Sequence, residues 1–326
     1  MQKYILQRLL LTIPTITLVT VFIFLLLRVF LPADVIDLII GEYGRNDPEL
    51  RAALERELGL SGHLYTQYFE WVGVSWFWGG ERGLLQGDLG ASLHSGRPVL
   101  GELQRRIPVS FELGLWAQFC SIIASVPLGV FAALRQDRFA DYGLRSVAIL
   151  LAAVPSFWIA VLVITFGSIW FNWAPPINFR YLTEDPVAHF KIMLLPALII
   201  GLTPSGGLIR LTRTQMLEVL RQDYIRTAHA KGLSQTTVLY KHALRNALIP
   251  VVTVIGVGLP QIVAGTVIFE QIFIIPGMGR YLVDAVNNLD YPVIQGLTFV
   301  FAVLLMVSVL LVDISYAFLD PRIRFN

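Results

Sequence analysis

Residues 223–250 read DYIRTAHAKGLSQTTVLYKHALRNALIP, a basic, helix-forming stretch broken once, at Gly232, and set between two long apolar runs. On its N-terminal side Met216, Leu217, Leu220 and Tyr224 form an i, i+1, i+4, i+8 stripe, with Arg213, Arg221 and Lys231 elsewhere on the surface, which predicts one helix. Beyond the break, Ser234 stands where it can cap a second helix that carries Val238, Leu239, His242 and Leu244 until Pro250 interrupts it. Gly232 falls at the join, where a helix end often needs the positive φ that glycine adopts without strain. Two readings of this knob stay open at this point, an ordered loop without a partner and a docking element for another protein.

Outward from that segment the chain is mostly apolar. Of its 326 residues 55% are hydrophobic and 15% charged, with a mean hydropathy of +0.65, far from the roughly 25% charged residues of a soluble domain. Runs long enough to cross a hydrocarbon layer of about 30 Å occur at 9–29, 113–134, 147–170, 192–209, 248–269 and 293–312. An all-α integral membrane protein with six transmembrane helices follows; the short alternating segments of a β-barrel are missing. The fourth run is short and holds Pro196, Gly201, Pro204, Gly206 and Gly207, a mixture tolerated only where neighbouring helices or a cavity satisfy the freed backbone groups, so it should face protein.

Orientation is read from Lys and Arg in the short loops. Lys3, Arg8, Arg135, Arg138, Arg145, the seven basic residues from Arg210 to Arg245, Arg322 and Arg324 share one side, against Arg180, Lys191 and Arg280 on the other. That asymmetry predicts cytoplasmic N- and C-termini. It also accounts for the basic residues without nucleic acid. Residues 31–109 then form an extracytoplasmic insertion, and 211–247 a cytoplasmic loop, within one membrane domain spanning 1–326. In the insertion Asp47-Pro48 opens an expected small amphipathic helix ending at Gly59. Tyr65, Tyr68, Phe69, Trp71, Trp76, Phe77 and Trp78 follow at a density suited to the membrane-water interface, or to stacking on a ligand. Arg28, Glu112, Glu270 and Asp313 lie near span ends, where snorkelling or an interfacial partner suffices. The single cysteine, Cys120, falls inside the second span, so no intrachain disulfide can form.

Several chemistries lack their residues. No phosphate-binding Gly-x-x-x-x-Gly-Lys-Ser/Thr loop is present, the five histidines are scattered without metal spacing, and Gly-x-Ser-x-Gly is missing. Gly277-Met278-Gly279 reads as a turn. The chain is therefore expected to be non-catalytic, to hold no metal and to bind no cofactor of its own. A stand-alone secondary transporter and a membrane enzyme are the readings from other classes. The lack of mid-membrane carboxylates speaks against the first, and the lack of an acid-base or metal constellation against the second.

The stretch Arg226-Thr227-Ala228-His229-Ala230-Lys231-Gly232, with Ile249-Pro250 closing it, resembles the cytoplasmic EAA loop of ABC importer permeases, in the version of the peptide and nickel branch. Leu6-Gln7-Arg8 to Pro14, Gly87-Asp88-Leu89-Gly90 with Ser92, and Arg106-Ile107-Pro108-Val109-Ser110 are similar to the dipeptide and oligopeptide permease B subunits. So are Val154-Pro155-Ser156-Phe157, Glu270 to Gly279, and Asp320-Pro321-Arg322-Ile323. The resemblance implies the type I ABC importer permease fold in a bacterial or archaeal cytoplasmic (inner) membrane. It implies a homologous second permease subunit, two ATPase subunits that bind ATP and Mg, and an extracytoplasmic substrate-binding protein. It makes Arg226, Thr227, Ala228, Ala230, Lys231 and Gly232 the coupling contact with an ATPase subunit. The implied cargo is a dipeptide or oligopeptide, with nickel chelates or oligosaccharides carried by the same architecture as alternatives. By position alone, Gln118, Asn172, Thr203, Ser205, Thr253 and Gln261 are candidates to line the pathway.

Overall fold

The computed structural model describes residues 2–30, 48–49, 52 and 62–319, and the expected helix at 47–59 lies almost wholly outside them. The helices are α1 (Gln2–Leu25, extended by a π turn at Leu26–Phe30), α2 (Leu64–Val72), α3 (Val99–Leu134), α4 (Phe139–Ala153), α5 (Ser156–Phe171) and α6 (Pro186–Leu220). They continue as α7 (Asp223–Ala230), α8 (Gln235–Thr237, followed by a π turn at Val238–Leu244), α9 (Arg245–Gly265), α10 (Val267–Ile272), α11 (Met278–Asn287) and α12 (Tyr291–Leu319). Among the described residues five stretches are long and apolar enough to cross a membrane: Leu10–Arg28, Val99–Leu134, Pro186–Leu220, Gln235–Gly258 and Tyr291–Val312. The pair α4 and α5, bent by 94° where Val154-Pro155 breaks the helix inside the expected run 147–170, makes a sixth when the two are taken as one broken span. Proline clashes with a helical residue before it, and Val154 accordingly adopts extended angles.

The outward surfaces are apolar. Leu18 and Phe22 on α1, and Ile169, Trp170 and Phe171 on α5, are 65–76% exposed, a surface that hydrocarbon rather than water covers.

The residues divide into two compact units, Met1–Ile107 with Tyr281–Val307, and Pro108–Arg280 with Ser308–Arg324. In the first, residues 90–99 fold back on themselves. Ala91 bridges Pro98, Ser92 N–H donates to Arg97 O (3.0 Å) and Val99 N–H to Gly90 O (3.0 Å), while Gly90 takes φ 81°. Asp290, before α12, holds this turn by accepting from Ser92 Oγ (2.6 Å) and Leu93 N (3.1 Å). The aromatic cluster of α2 serves packing as well as surface. Tyr68 and Trp71 lie against Phe24 of α1, and Tyr68 OH meets Thr20 Oγ1 at 2.9 Å. Trp76, Phe77 and Trp78 remain exposed.

In the second unit α6 is the central element, in accord with its expected protein-facing surroundings. It is unbroken through Pro196 and Pro204, and it is the most buried of the candidate spans. The glycines explain how. A methyl group on Gly201 would lie 2.5 Å from Ala117 O of α3, and one on Gly206 would strike Ala148 O of α4. From the α3 side, one on Gly129 would lie 2.6 Å from Thr212 Cβ. Helices that approach this closely supply packing where apolar lipid supplies no hydrophobic drive between them.

Two of the span-end charges have partners, the second of the two expected arrangements. Glu270 is fully buried, its carboxylate accepting from Thr266 Oγ1 (2.7 Å) and Arg280 N (3.1 Å) at the start of α11. Ser110 Oγ accepts from Met278 N in the same turn (2.8 Å). A carboxylate at a helix N-terminus is stabilised by the free N–H groups and the helix dipole. Gly277-Met278-Gly279 is thus the turn into α11. Glu112 instead pairs with buried His189, 2.7 Å from its Nε2, while Nδ1 of the same ring lies 2.8 Å from Arg180 O. The side chain of Asp313 lies outside the described residues, and Cys120 is half-buried.

Candidate functional site

The expected first helix of the basic segment is divided in the structure. α6 ends at Leu220, a turn follows at Arg221 and Gln222, and α7 begins at Asp223. α7 then ends as expected at Gly232, with φ 75°. Gly232 N–H donates to His229 O (2.9 Å) and Leu233 N–H to Ala228 O (3.4 Å), the paired bonds of a Schellman cap. Ser234 opens the next helix, its Oγ accepting from Thr237 N at 3.4 Å. Pro250, expected to interrupt the chain, is instead the sixth residue of α9. The π turn before α9 widens the backbone, and helices packed among others at membrane depth tolerate one missing donor.

Two faces of α7 have opposite character. Ile225 and Ala228, three residues apart, point inward at 2% and 7% exposure. They join Ala133 of α3, Met216 of α6, Val238 and Ala243 of the π turn and Ala247 of α9 in one apolar cluster. A second tie is polar: Asn246 Nδ2 of α9 donates to Tyr224 OH (2.9 Å) and to His242 O (2.9 Å). α7 is thereby seated on the ends of α3, α6 and α9 at once. Its other face carries Arg226, Thr227, His229, Ala230, Lys231 and Gly232, all exposed, followed by Leu233. Arg226 makes only an exposed contact to Asp223 (3.4 Å), a pair that contributes at most about 1 kcal/mol. A Cβ on Gly232 would meet nothing within 4 Å.

Ala228 is thus part of the seat, while Arg226, Thr227, Ala230, Lys231 and Gly232 form a continuous outward surface. An open cleft of about 440 Å³ beside it is lined by Arg213, Thr214, Leu217, Glu218, Arg221 and Gln222. One residue pair here was not singled out from sequence. Arg213 donates through Nε and Nη2 to the two carboxylate oxygens of Asp141, at 2.6 Å each, and Asp141 is fully buried.

The pathway candidates are spread over several elements. Gln118 is half-buried on α3, and Asn172 is the exposed, left-handed C-cap of α5, with φ 49°. On α6, Thr203 Oγ1 is buried without a hydrogen-bond partner among the described residues, and Ser205 Oγ donates to Leu202 O (2.5 Å). Thr253 Oγ1 of α9 donates to Ile249 O (3.0 Å), and the side chain of Gln261 lies outside the described residues.

A helical chain with five apolar stretches of membrane-crossing length among the described residues, or six with the bent pair α4 and α5, presents one short helix seated on three helix ends and has the build of a multi-pass membrane protein. The chain belongs to the family of binding-protein-dependent transport system inner membrane components: residues 125–325 match that family, and residues 1–114 its N-terminal component. It is 36% identical over 335 residues to the oligopeptide transport system permease protein AppB of Bacillus subtilis (strain 168), covering 100% of both chains. It is 37% identical over 350 residues to the dipeptide transport system permease protein DppB of Escherichia coli (strain K12), covering 99% of both. A putative peptide transport system permease protein of Brucella abortus (strain 2308) is 39% identical over 327 residues, with 100% of each chain covered. Among solved structures, the inward-facing MetNI methionine ABC transporter superposes with a TM-score of 0.52 at 13% identity, covering 67% of this chain and 96% of that one. That likeness is one of fold.

Proposed function

We propose that this chain is the membrane-spanning subunit of an ATP-driven importer of dipeptides or oligopeptides, forming half of the translocation pathway. The cargo class rests on the full-length relatives, which are named for peptide transport. A homologous permease would supply the other half, an extracytoplasmic binding protein would deliver the peptide, and two ATPase subunits would hold ATP and Mg. The termini and the 211–247 loop would face the cytoplasm of a bacterial or archaeal cell, with the chain in its cytoplasmic membrane.

The observation that carries this reading is the two-faced α7. Its inner face is fixed to three helix ends, and its outer face is a small-residue and basic surface against which another chain can close. Arg226 and Lys231 would meet carboxylates at the rim of an ATPase groove, while Ala230 and Gly232 leave room for close approach. Closure of the ATPase pair on ATP would displace α7, and its seat would pass that displacement to α3, α6 and α9 as a rigid-body movement.

Gly232→Asn and Gly232→Arg test this together. Asparagine tolerates the left-handed conformation and should leave peptide-stimulated ATP hydrolysis near wild type. Arginine adds bulk on the outward surface and should abolish stimulation while the complex still reaches the membrane. Full stimulation in Gly232→Arg would overturn the reading.

A further inference from the structure

The only buried positions on α4 are Asp141 and Ala148, and both are used against α6. Asp141 takes the bidentate bonds of Arg213, and the carbonyl of Ala148 lies where a Cβ on Gly206 would sit, with Ala152 N 3.2 Å from that point. From 141 to 148 on α4 is seven residues, and from 206 to 213 on α6 is also seven, counted in the opposite direction along the chain. Two antiparallel helices are therefore joined at two points, each pair about 10 Å apart along its axis at 1.5 Å rise per residue. α3 is also joined to α6 at two points, but runs parallel to it. Ala117 faces Gly201 and Gly129 faces Thr212, with twelve and eleven residues between the contacts.

We infer that Asp141 and Arg213 are positioning residues of the coupling step, which bind α4 to α6 so that a displacement of α7 moves α3, α4 and α6 as one body. Met216, one turn beyond Arg213, packs under α7, so the ion pair lies one turn from the residue on which α7 rests. Sliding α4 along α6 by one turn would separate a fully buried carboxylate from its guanidinium, which strongly disfavours the slipped state. It would also drive Gly206 into a different part of the α4 backbone. Asp141 further accepts from Asp137 N (3.0 Å), holding the α3–α4 connection, where Asp137 adopts φ 60°. The bend at Val154-Pro155 follows the joined stretch and ends α4. The inference rests on the proposed coupling role of α7.

The test uses the assembled importer with its partner permease, ATPases and binding protein in proteoliposomes, with labelled tri-alanine as the probe. Asp141→Asn keeps the shape and removes the charge. It should leave basal ATP hydrolysis within about twofold and lower peptide uptake per ATP by about tenfold, within the usual range of coupling factors. Asp141→Glu should recover part of that ratio. An unchanged ratio in Asp141→Asn overturns the inference. A second measurement leaves the ion pair intact: spin labels at Tyr142→Cys on α4 and Thr214→Cys on α6, both exposed, in a Cys120→Ser background. The distance between them should be the same in nucleotide-free and ATP-vanadate-trapped importer. A change of about 5 Å, one helical turn, shows that the helices slide and overturns it even if Asp141→Asn does not accumulate. Uncoupling by Gly232→Arg alongside such a change would reject the joint while leaving the role of α7 in place.

Discussion

Replacing Gly277 with alanine should unsettle a region far from the basic segment, because the position has no room for a methyl group. An added Cβ would meet the Glu270 carboxylate and lie 2.6 Å from Ser110 Oγ. Neither can swing aside freely. Glu270 is fully buried and bonded to Thr266 Oγ1 and Arg280 N, and Ser110, 1% exposed, accepts from Met278 N. Overpacking costs about 1–3 kcal/mol, and loss of one hydrogen bond to the buried carboxylate adds about 1.5–3 kcal/mol, so the variant should lose about 3–6 kcal/mol. Thermal unfolding of the purified protein in detergent, followed by loss of the monodisperse peak on size exclusion, should show a midpoint lower by about 5–10 °C. Glu270→Asp withdraws the carboxylate by one methylene, so Gly277→Ala/Glu270→Asp should be better than the sum of the single changes by about 1 kcal/mol or more. A midpoint for Gly277→Ala within about 2 °C of wild type, or strict additivity in the double variant, would refute the steric argument.

Two further predictions concern helix contacts and the residue 90–99 turn. Gly206→Leu should prevent accumulation of folded protein, since its side chain would enter the α4 backbone. Gly207→Leu, whose Cβ would meet nothing within 4 Å, should accumulate normally by membrane immunoblot. Asp290→Ala leaves the Ser92 hydroxyl and the Leu93 N–H without their acceptor, at a cost of about 2–4 kcal/mol. Limited proteolysis should then cleave within residues 90–99 much faster than in wild type.

Much of the fold was legible because apolar runs of the right length report on the bilayer directly. Helix ends were not. α3 begins at Val99, fourteen residues before the apolar run at 113, and its first turns contain Glu102, Arg105 and Arg106. There Arg106 stacks on the Tyr281 ring, 4.4 Å from its centroid, and reaches Glu102 at 3.4 Å, so tertiary partners rather than hydropathy extend the helix. The break at Pro155 was hidden in a run that hydropathy shows as continuous, whereas the helix carrying Pro196 and Pro204 stays whole among packed neighbours, as its composition indicated. At the candidate site, Gly232 and Ser234 were readable because caps follow local rules. The inward turn of Ala228 was not, because it depends on Ala133, Val238 and Ala247, which lie elsewhere in the chain. The Asp141–Arg213 pair has no local signature either, since its members are 72 residues apart.

The second unit divides two mechanical tasks between different kinds of residue. Glycines at 129, 201 and 206 set how closely α3, α4 and α6 approach, because any side chain there would enter a neighbouring helix. They resist separation less well than they resist intrusion, since dispersion contacts weaken gradually with distance. Charged and polar ties resist sliding instead: Asp141–Arg213 between α4 and α6, Glu112–His189 between α3 and α6, and Glu270 with Thr266 and the start of α11. Each has a short, directional geometry that a shift of one turn would destroy. These ties stand near the ends of the apolar runs, where holding a charge is less costly than at the bilayer centre. An arrangement with close, uncharged contacts along the helices and register-fixing ties near the ends of their apolar runs resists slip under an end-on displacement. That property is what the proposed coupling through α7 would require.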